Sequence, residues 1–256
     1  MAVYTGGSLG GLAEIHCSQS GGVVTFHADA GTTYFFQAGG ILGQSSPITF
    51  GLSVTPPPTA EFLFQPFDPS IFDMVQFFDV STDPGQVGFA SETWAFGDGA
   101  TGTGSRPTHR YTADGDYAVV QSLTTVDGRT ASSSQVVHVS THDVAVTDLD
   151  TPSTGRVGRT GLVTARVSDT RYPKTVQMQL FKSDPSSADG FLLVGTLTES
   201  VPARPRATPF TFSYTFTSGD AVVGKVTFKA VATIIGPRDA LQADNTAVAT
   251  TMKVIS

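Results

Sequence analysis

Apolar and polar residues alternate along most of this chain, in short runs that end at glycine, proline or aspartate. These runs are rich in β-branched and aromatic residues, which is typical of half-buried antiparallel strands. The pattern predicts no helix. Short strands punctuated by turns favour an all-β fold of tandem immunoglobulin-like or jelly-roll-like β-sandwiches. The clearest predicted strands cover residues 23–28, 34–38, 117–123, 210–216 and 226–232.

Two interruptions divide this pattern into three modules. Residues 55–59 contain three consecutive prolines, which cannot lie inside a paired strand and favour an extended polyproline II linker. A softer boundary follows the strand-like residues 136–139, where a polar stretch precedes a new alternation. We therefore predict a partial β domain at 1–54, a proline-rich linker at 55–60, and β-sandwiches at 61–140 and 141–256.

Charge differs between the modules and excludes one class of function. The chain of 256 residues has 15 Lys and Arg against 22 Asp and Glu, a net charge of −7. A general nucleic-acid binder needs a basic face, so we expect no nucleic-acid partner. Acidic and basic residues number two and none in residues 1–54, ten and three in 59–140, and ten and twelve in 141–256.

Three further features of the sequence concern its cellular location. No run of about 18 apolar residues exists, so the sequence predicts no membrane span. The residues after Met1 have neither the basic nor the apolar region of a signal peptide. A single cysteine, Cys17, cannot form an internal disulfide. The chain is therefore either cytosolic or a fragment of a longer protein.

The middle module resembles a PKD (polycystic kidney disease) domain, an immunoglobulin-like β-sandwich. Residues 75–81, 94–99, 107–111 and 115–119 match motifs of this family in the right order. The central motif of the family is Trp-Asp-Phe-Gly-Asp-Gly, and this chain departs from it at Ala95. Trp94 and Phe96 alternate onto one face, so they are predicted to fill the core, while the following Gly-Asp-Gly sequence predicts a tight turn.

The flanking modules resemble two other bacterial families. Residues 1–54 are similar to the C-terminal part of a pre-peptidase C-terminal (PPC) domain, with matches at 3–6, 23–26, 30–40 and 48–52. Residues 143–254 are similar to a CARDB-type adhesion module, and a fibronectin-III-like sandwich has a comparable pattern. That match rests on residues 143–146, 157–158 and 244–247.

These resemblances imply a large secreted or cell-surface bacterial protein. We therefore expect a fragment, whose signal peptide lies upstream of Met1. If residues 1–54 are half of a jelly-roll-like domain, their apolar faces need a cover. We expect these side chains to pack on the PKD-like neighbour or on another chain, or to be poorly ordered. They are Val24, Phe26, Tyr34, Phe36 and Phe50.

Calcium is the candidate cofactor. Asp79, Asp83 and Asp98 lie in loops of the acidic middle module, and Ca²⁺ is bound where several carboxylate oxygens converge at about 2.3–2.6 Å. The PKD resemblance implies such a site, because some family members bind calcium near these loops. The alternative interpretation is a solvated acidic turn face, and the sequence leaves both open.

The motifs associated with catalysis lack the required structural context. Residues 6–10 fit the Gly-x-Ser-x-Gly pattern around Ser8, but a short strand is predicted where a nucleophile elbow needs a helix. Residues 97–102 fit the spacing of a dinucleotide-binding loop, and again no helix follows. His138 and His142 do not share a helix face as paired zinc ligands would, and His109 is expected to brace a turn. The sequence thus predicts no enzymatic activity.

Phenylalanines are concentrated at the start of the middle module. We interpret them as filling of the sandwich and of a domain interface rather than as a platform for sugars or proteins. They are Phe62, Phe64, Phe67, Phe72, Phe77 and Phe78.

Three functional hypotheses remain. The chain is an array of non-catalytic extracellular adhesion or spacer modules, the accessory substrate-binding tail of a secreted peptidase or glycosidase, or a structural subunit of a surface layer, filament or phage appendage. Fold alone does not separate them. The expected partners are other domains of the parent protein or extracellular proteins and polysaccharides.

Overall fold

The protein is described by a computed structural model that covers residues 1–18, 23–39, 47–169 and 171–256. It confirms the all-β class. The chain divides into two compact units: residues 1–67, 74–111 and 115–138 form unit 1, and residues 68–73, 112–114 and 139–256 form unit 2. The predicted division into three modules stays a prediction. No helix in the described ranges is long and apolar enough to cross a membrane.

Unit 1 contains a small N-terminal sheet. Its strands are β1 (Ala2–Thr5), β2 (Ala13–Cys17) and β3 (Tyr34–Gln37), in the order β2-β1-β3 with antiparallel pairing. Ala2 and Val3 are buried, whereas β2 is exposed along its whole length. The predicted strand at 23–28 does not form, and the sheet β2-β1-β3 assembles without it. Its Phe26 instead packs against the rings of Tyr34 and Phe36.

The rest of unit 1 is a β-sandwich of two sheets. One sheet has the order β4-β5-β8 and the other β10-β9-β6-β7. Their strands are β4 (Phe62–Gln65), β5 (Val75–Asp79), β6 (Phe89–Ala95), β7 (Thr101–Thr103), β8 (Thr108–His109), β9 (Gly115–Thr125) and β10 (Thr130–Val139).

Aromatic side chains fill this sandwich, as the alternation predicted. Trp94 is 2% exposed, and its ring lies 5.1 Å from Phe62 and 5.6 Å from Phe77 between centroids. Phe96 packs on Phe77 at 5.2 Å. The interpretation of every phenylalanine in the Phe-rich run as filling was wrong for Phe67, which is 73% exposed. Phe72 of unit 2 is exposed as well.

Unit 2 is built from three sheets with the orders β11-β13-β16, β12-β20-β17 and β15-β14-β18-β19. All named pairs are antiparallel except β12 with β20, which is parallel. The strands are β11 (Ala145–Asp150), β12 (Thr154–Arg156), β13 (Thr160–Asp169), β14 (Lys174–Ser183), β15 (Phe191–Val201), β16 (Arg204–Thr215), β17 (Lys225–Val226), β18 (Phe228–Ile235), β19 (Thr246–Val248) and β20 (Met252–Ile255).

The core of unit 2 is a continuous apolar cluster that includes Met178, Leu180, Phe210 and Phe228, all fully buried. These residues alternate with outward-facing polar ones along β14, β16 and β18, which accounts for the predicted period of two. The predicted strand at 226–232 is interrupted at Thr227, between β17 and β18.

One helix, α1 (Ser218–Val223), forms where the sequence analysis predicted none. The residues that cap its two ends explain why this helix forms. The Thr217 side chain accepts a hydrogen bond from the Asp220 N–H, and the Asp220 carboxylate accepts one from the Thr217 N–H, a reciprocal capping box. Gly224 ends the helix in the left-handed conformation, with a φ of 76°. Local capping therefore overrides the surrounding strand pattern for six residues.

Candidate functional site

The turn that joins β6 to β7 positions the first of the three candidate ligands, Asp98. Gly97 and Gly99 have φ values of 88° and 96°, which glycine adopts readily. A Cβ atom at Gly97 would also lie 2.9 Å from backbone atoms of Ala118. Asp98 Oδ1 accepts a hydrogen bond from the Ala100 N–H at 3.0 Å, so the carboxylate is fixed at the tip of a rigid turn.

Asp98 is paired with His109. Its Oδ2 atom lies 2.7 Å from His109 Nε2, and the imidazole ring stacks on Phe96 with 4.4 Å between centroids. Burial disfavours the ionised carboxylate, but the hydrogen bonds from Ala100 and His109 outweigh it and lower the pKa of Asp98. The prediction that His109 braces a turn through hydrogen bonds is confirmed.

Asp83 is held in a different loop. Its carboxylate accepts hydrogen bonds from the N–H groups of Gly85, Val87 and Gly88 at 2.9, 2.8 and 3.2 Å. It also forms a 2.8 Å ion pair with Arg129. Burial acts to raise the pKa of Asp83, and these donors together lower it. All the donors stabilise the charged form without any metal.

Asp79 has a third set of partners. Its Oδ1 atom accepts hydrogen bonds from the Ser81 N–H at 3.0 Å and from Gln121 Nε2 at 2.7 Å. The three predicted calcium ligands are thus bound separately. Throughout the described parts of the chain, no three His, Cys, Asp or Glu side chains come together as a ready metal site.

Calcium binding at Asp79, Asp83 and Asp98 stays a prediction, and a melting experiment tests it. A cation that binds only the folded state raises its melting temperature by mass action. We expect unit 1 to melt higher in millimolar CaCl₂ than in EGTA, and Asp98→Asn to reduce that difference. Glu61→Gln, an exposed change in the same unit, serves as the control. Identical melts of the wild type in both conditions would eliminate calcium at these residues.

The sequence analysis missed a polar cluster inside the same sandwich. Glu92 and Gln121 point inward with Trp94 and Leu123, as the pairing of β6 with β9 requires. Gln121 is fully buried, and neither its Oε1 atom nor Glu92 Oε2 has a hydrogen-bond partner. Burial and the nearby charge of Asp79 raise the pKa of Glu92. The sequence did contain one sign of this cluster: Glu92 lies two residues before the core residue Trp94, so strand alternation places both side chains on the same face.

Replacing Glu92 by glutamine is expected to stabilise unit 1 at neutral pH. The neutral amide removes the repulsion between residue 92 and Asp79, and it offers the Asp79 carboxylate a hydrogen-bond donor. We expect these changes to increase the free energy of unfolding by about 1 kcal/mol. That corresponds to a rise of roughly 4–8 °C in melting temperature for a small domain. Because the pKa of Glu92 is higher in the folded state than in the unfolded state, Glu92 destabilises the fold only at a pH at which its carboxylate ionises. The stabilisation by Glu92→Gln should therefore vanish near about pH 4.

Calorimetry of Glu92→Gln at these two pH values checks the prediction. Glu61→Gln, which removes an exposed carboxylate of the same unit, should melt like the wild type. A Glu92→Gln protein that is less stable than the wild type at neutral pH would show that the carboxylate is stabilising.

The remaining candidate residues do not assemble a catalytic centre. Ser8 is exposed and is followed by a 3₁₀ turn and then β2, so the strand–helix geometry of a nucleophile elbow is absent there. The Gly-rich residues 97–102 lead into β7 rather than into a helix. His138 pairs with Asp116 at 2.7 Å on the surface. Ser140 Oγ lies 3.5 Å from His142 Nε2, beyond the usual reach of a general base.

The family comparison identifies the aromatic sandwich. The model of the PKD domain family matches residues 56–141. This part of the chain is a PKD domain. The motif that carried the resemblance is the one whose Trp94, Phe96 and Asp98 form the core and turn described above.

Individual proteins similar to the chain cover parts of it. A microbial collagenase of Vibrio alginolyticus is 44% identical over 61 residues, which are 23% of this chain and 7% of the collagenase. The PKD1 domain of the Vibrio cholerae metalloprotease PrtV is 29% identical and covers 34% of this chain and 100% of that domain, with a TM-score of 0.31.

A CARDB domain of Pyrococcus furiosus, solved with di-metal ions, is also among the similar structures. It is 16% identical and covers 44% of this chain and 88% of that one, with a TM-score of 0.34. The CARDB-like assignment of residues 143–254 stays a prediction, as does the PPC-like assignment of residues 1–54.

Proposed function

We propose that this chain is a non-catalytic segment of a larger secreted or cell-surface bacterial protein, in which its β modules space or attach the neighbouring domains. The observation that carries the proposal is the PKD domain at residues 56–141. Its relative, the collagenase, is matched over only 7% of its length. The matched segment in that protein is therefore a small part beside much larger regions.

The use of the motif side chains supports a spacing role. The side chains of Trp94 and Phe96 are buried in the core, and the contact between Asp98 and His109 stabilises a turn. Asp83 and Arg129 hold another loop together. The most distinctive residues of the domain therefore build a stable body, and their reactive atoms are occupied by neighbours.

A second candidate function has a specific observation in its favour. The collagenase similarity, at 44% identity, fits an accessory tail that helps a secreted peptidase engage an insoluble substrate. Unit 1 presents apolar side chains for such a contact, because Leu63, Phe67 and Met74 are all exposed. The Phe67 ring also lies 6.1 Å from that of Phe64, which supports it from one side.

Co-sedimentation separates the two roles. A spacer should stay in the supernatant with fibrillar collagen, cellulose or chitin. An accessory tail should pellet with one of them, and Phe67→Ser should reduce the pelleted fraction. Leu9→Ser, which removes another exposed apolar side chain of unit 1, is the control.

An activity assay tests the non-catalytic character that both roles share. We expect no turnover of peptide, ester or glycoside substrates by the purified chain. Turnover that is lost in Ser8→Ala would overturn both roles.

A further inference from the structure

One edge of a sheet in unit 2 is formed by a long strand, β15. It lies at the end of the sheet β15-β14-β18-β19, and among the described residues it pairs with β14 alone. Hydrogen-bonded and non-hydrogen-bonded pairs alternate in an antiparallel ladder, so every second N–H and C=O group of β15 points away from β14. These groups form a row of backbone donors and acceptors that fits a further strand.

The side chains along this edge are apolar or neutral. Residues 191–198 contain no charged residue. Within them, Leu192 and Leu193 are 50% and 48% exposed. A long strand edge that is uncharged and exposes adjacent aliphatic side chains is a template for pairing with another strand.

Other edge strands carry features that hinder such pairing. β16 has an exposed proline, Pro209, which offers no N–H group. β11 carries Asp148 and Asp150, both paired with Arg166. β7 and β19 are three residues long, and the exposed side chains of β10 are mostly polar. By contrast, β15 is 11 residues long, and residues 191–198 contain neither a charge nor a proline.

A bulge in β15 shortens the regular part of this edge. The register with β14 shifts at Val194, which has no partner in the ladder, and bulges of this kind increase the local twist of a strand. Residues 195–201 nevertheless pair continuously with residues 174–180. That stretch matches the usual length of a strand, so the bulge bends the edge without covering it.

The chemistry of this edge fits a second copy of the chain. Two copies related by a two-fold axis place the same segment on both sides of the interface. Residues 191–198 then meet an equally uncharged segment, and like charges do not face each other there. Residues 141–256 hold ten acidic and twelve basic residues, whereas residues 1–140 hold twelve acidic and three basic ones. Repulsion between copies is therefore smallest when they approach through unit 2.

We propose that two copies of the chain associate through β15, so that their sheets β15-β14-β18-β19 join into one continuous sheet. Backbone hydrogen bonds hold the two strands together, and Leu192 and Leu193 pack against the other copy. A single strand pair buries less than the roughly 1,200–2,000 Å² of a stable complex. The dimer is therefore weak and reversible, and it gains strength where several copies are held side by side on one surface.

Sedimentation velocity of the full chain tests the association. We expect the wild type to shift from monomer to dimer between about 5 and 500 µM, the range of a weak complex. Leu193→Lys puts the same charge on both sides of the interface, so it should weaken association about tenfold or more. Leu162→Lys is the matched control, because Leu162 is also exposed but lies on β13, the middle strand of another sheet in the same unit. It should associate like the wild type.

Hydrogen exchange of the wild type at low and high concentration tests the location without any variant. Amides of β15 that face away from β14 should gain protection in the dimer, and amides of β10 should not. A wild type that stays monomeric at the highest concentration overturns the proposal and leaves the edge to an extended segment of another protein. A dimer without added protection in β15 also overturns it, as does a dimer that Leu193→Lys leaves unchanged.

Discussion

Trp94→Ala is expected to unfold the PKD domain under conditions in which the wild type is fully folded. The indole is almost completely buried between Phe62 and Phe77. Its Nε1 atom donates to the Gly104 carbonyl at 2.9 Å, which ties the core to the loop after β7. Truncation of such a residue costs about 3–5 kcal/mol, and a whole domain is stable by only about 5–15 kcal/mol.

Hydrogen exchange measured by mass spectrometry checks this result. Amides of β9 should lose most of their protection in Trp94→Ala. Trp94→Phe keeps the ring packing but removes the bond to Gly104, so it should fall between the variant and the wild type. Wild-type protection of β9 in Trp94→Ala would mean that Trp94 contributes little to the core.

Asp220→Ala is expected to destabilise unit 2 by about 3–5 kcal/mol, which is the usual cost of removing one partner from a buried ion pair. Asp220 is 3% exposed and lies 2.7 Å from the Lys182 ammonium group. Its other oxygen accepts hydrogen bonds from the Tyr214 hydroxyl and the Thr217 N–H. Alanine therefore leaves Lys182 charged and largely buried without its carboxylate, and removes the cap of α1.

The same residue gives the wild type an acid-sensitive contribution to stability. Burial opposes ionisation of Asp220, but the bonds from Lys182, Thr217 and Tyr214 outweigh it and lower the pKa to about 2. Because the pKa of Asp220 is lower in the folded state than in the unfolded state, its ionised carboxylate stabilises the fold at pH values above the unfolded-state pKa. This contribution should be complete at neutral pH and be lost between about pH 4 and pH 2.

Denaturant unfolding across this pH range tests both statements. The stability difference between wild type and Asp220→Ala should shrink as the pH falls. The double variant Asp220→Ala, Lys182→Met removes the stranded charge and should be more stable than Asp220→Ala alone. Asp189→Asn, an exposed change in the same unit, should behave like the wild type. A pH-independent difference would place the effect in lost packing rather than in charge.

The sequence predicted the PKD fold well because its signals are local. The alternation around Trp94 and the glycines after Phe96 each specify a conformation within a few residues. Pairing is not local. Residues 23–28 have a strand pattern, yet the sheet β2-β1-β3 assembles without them. Helix α1 was not predicted because the surrounding sequence has a strand pattern. The helix depends instead on the capping residues at its two ends.

The candidate sites were harder to predict because they depend on which loops meet. Asp79, Asp83 and Asp98 share an acidic segment, but each is held by its own donors. The hydrogen bond between Gln121 and Asp79 joins residues 42 positions apart, and Gln121 lies outside every motif that was matched in the sequence. Such pairs follow from the arrangement of strands, which a single sequence does not specify.

The parallel pairing of β12 with β20 has a mechanical consequence. The pairs Thr154–Lys253, Gly155–Val254 and Arg156–Ile255 lie side by side with both strands running the same way. Tension applied to the residue before β12 and to the end of β20 pulls these strands in opposite directions along their length. The bonds between them are then loaded together, in shear, instead of opening one after another. A segment pulled through these two strands would therefore resist extension as one unit, because its bonds must yield together rather than one at a time.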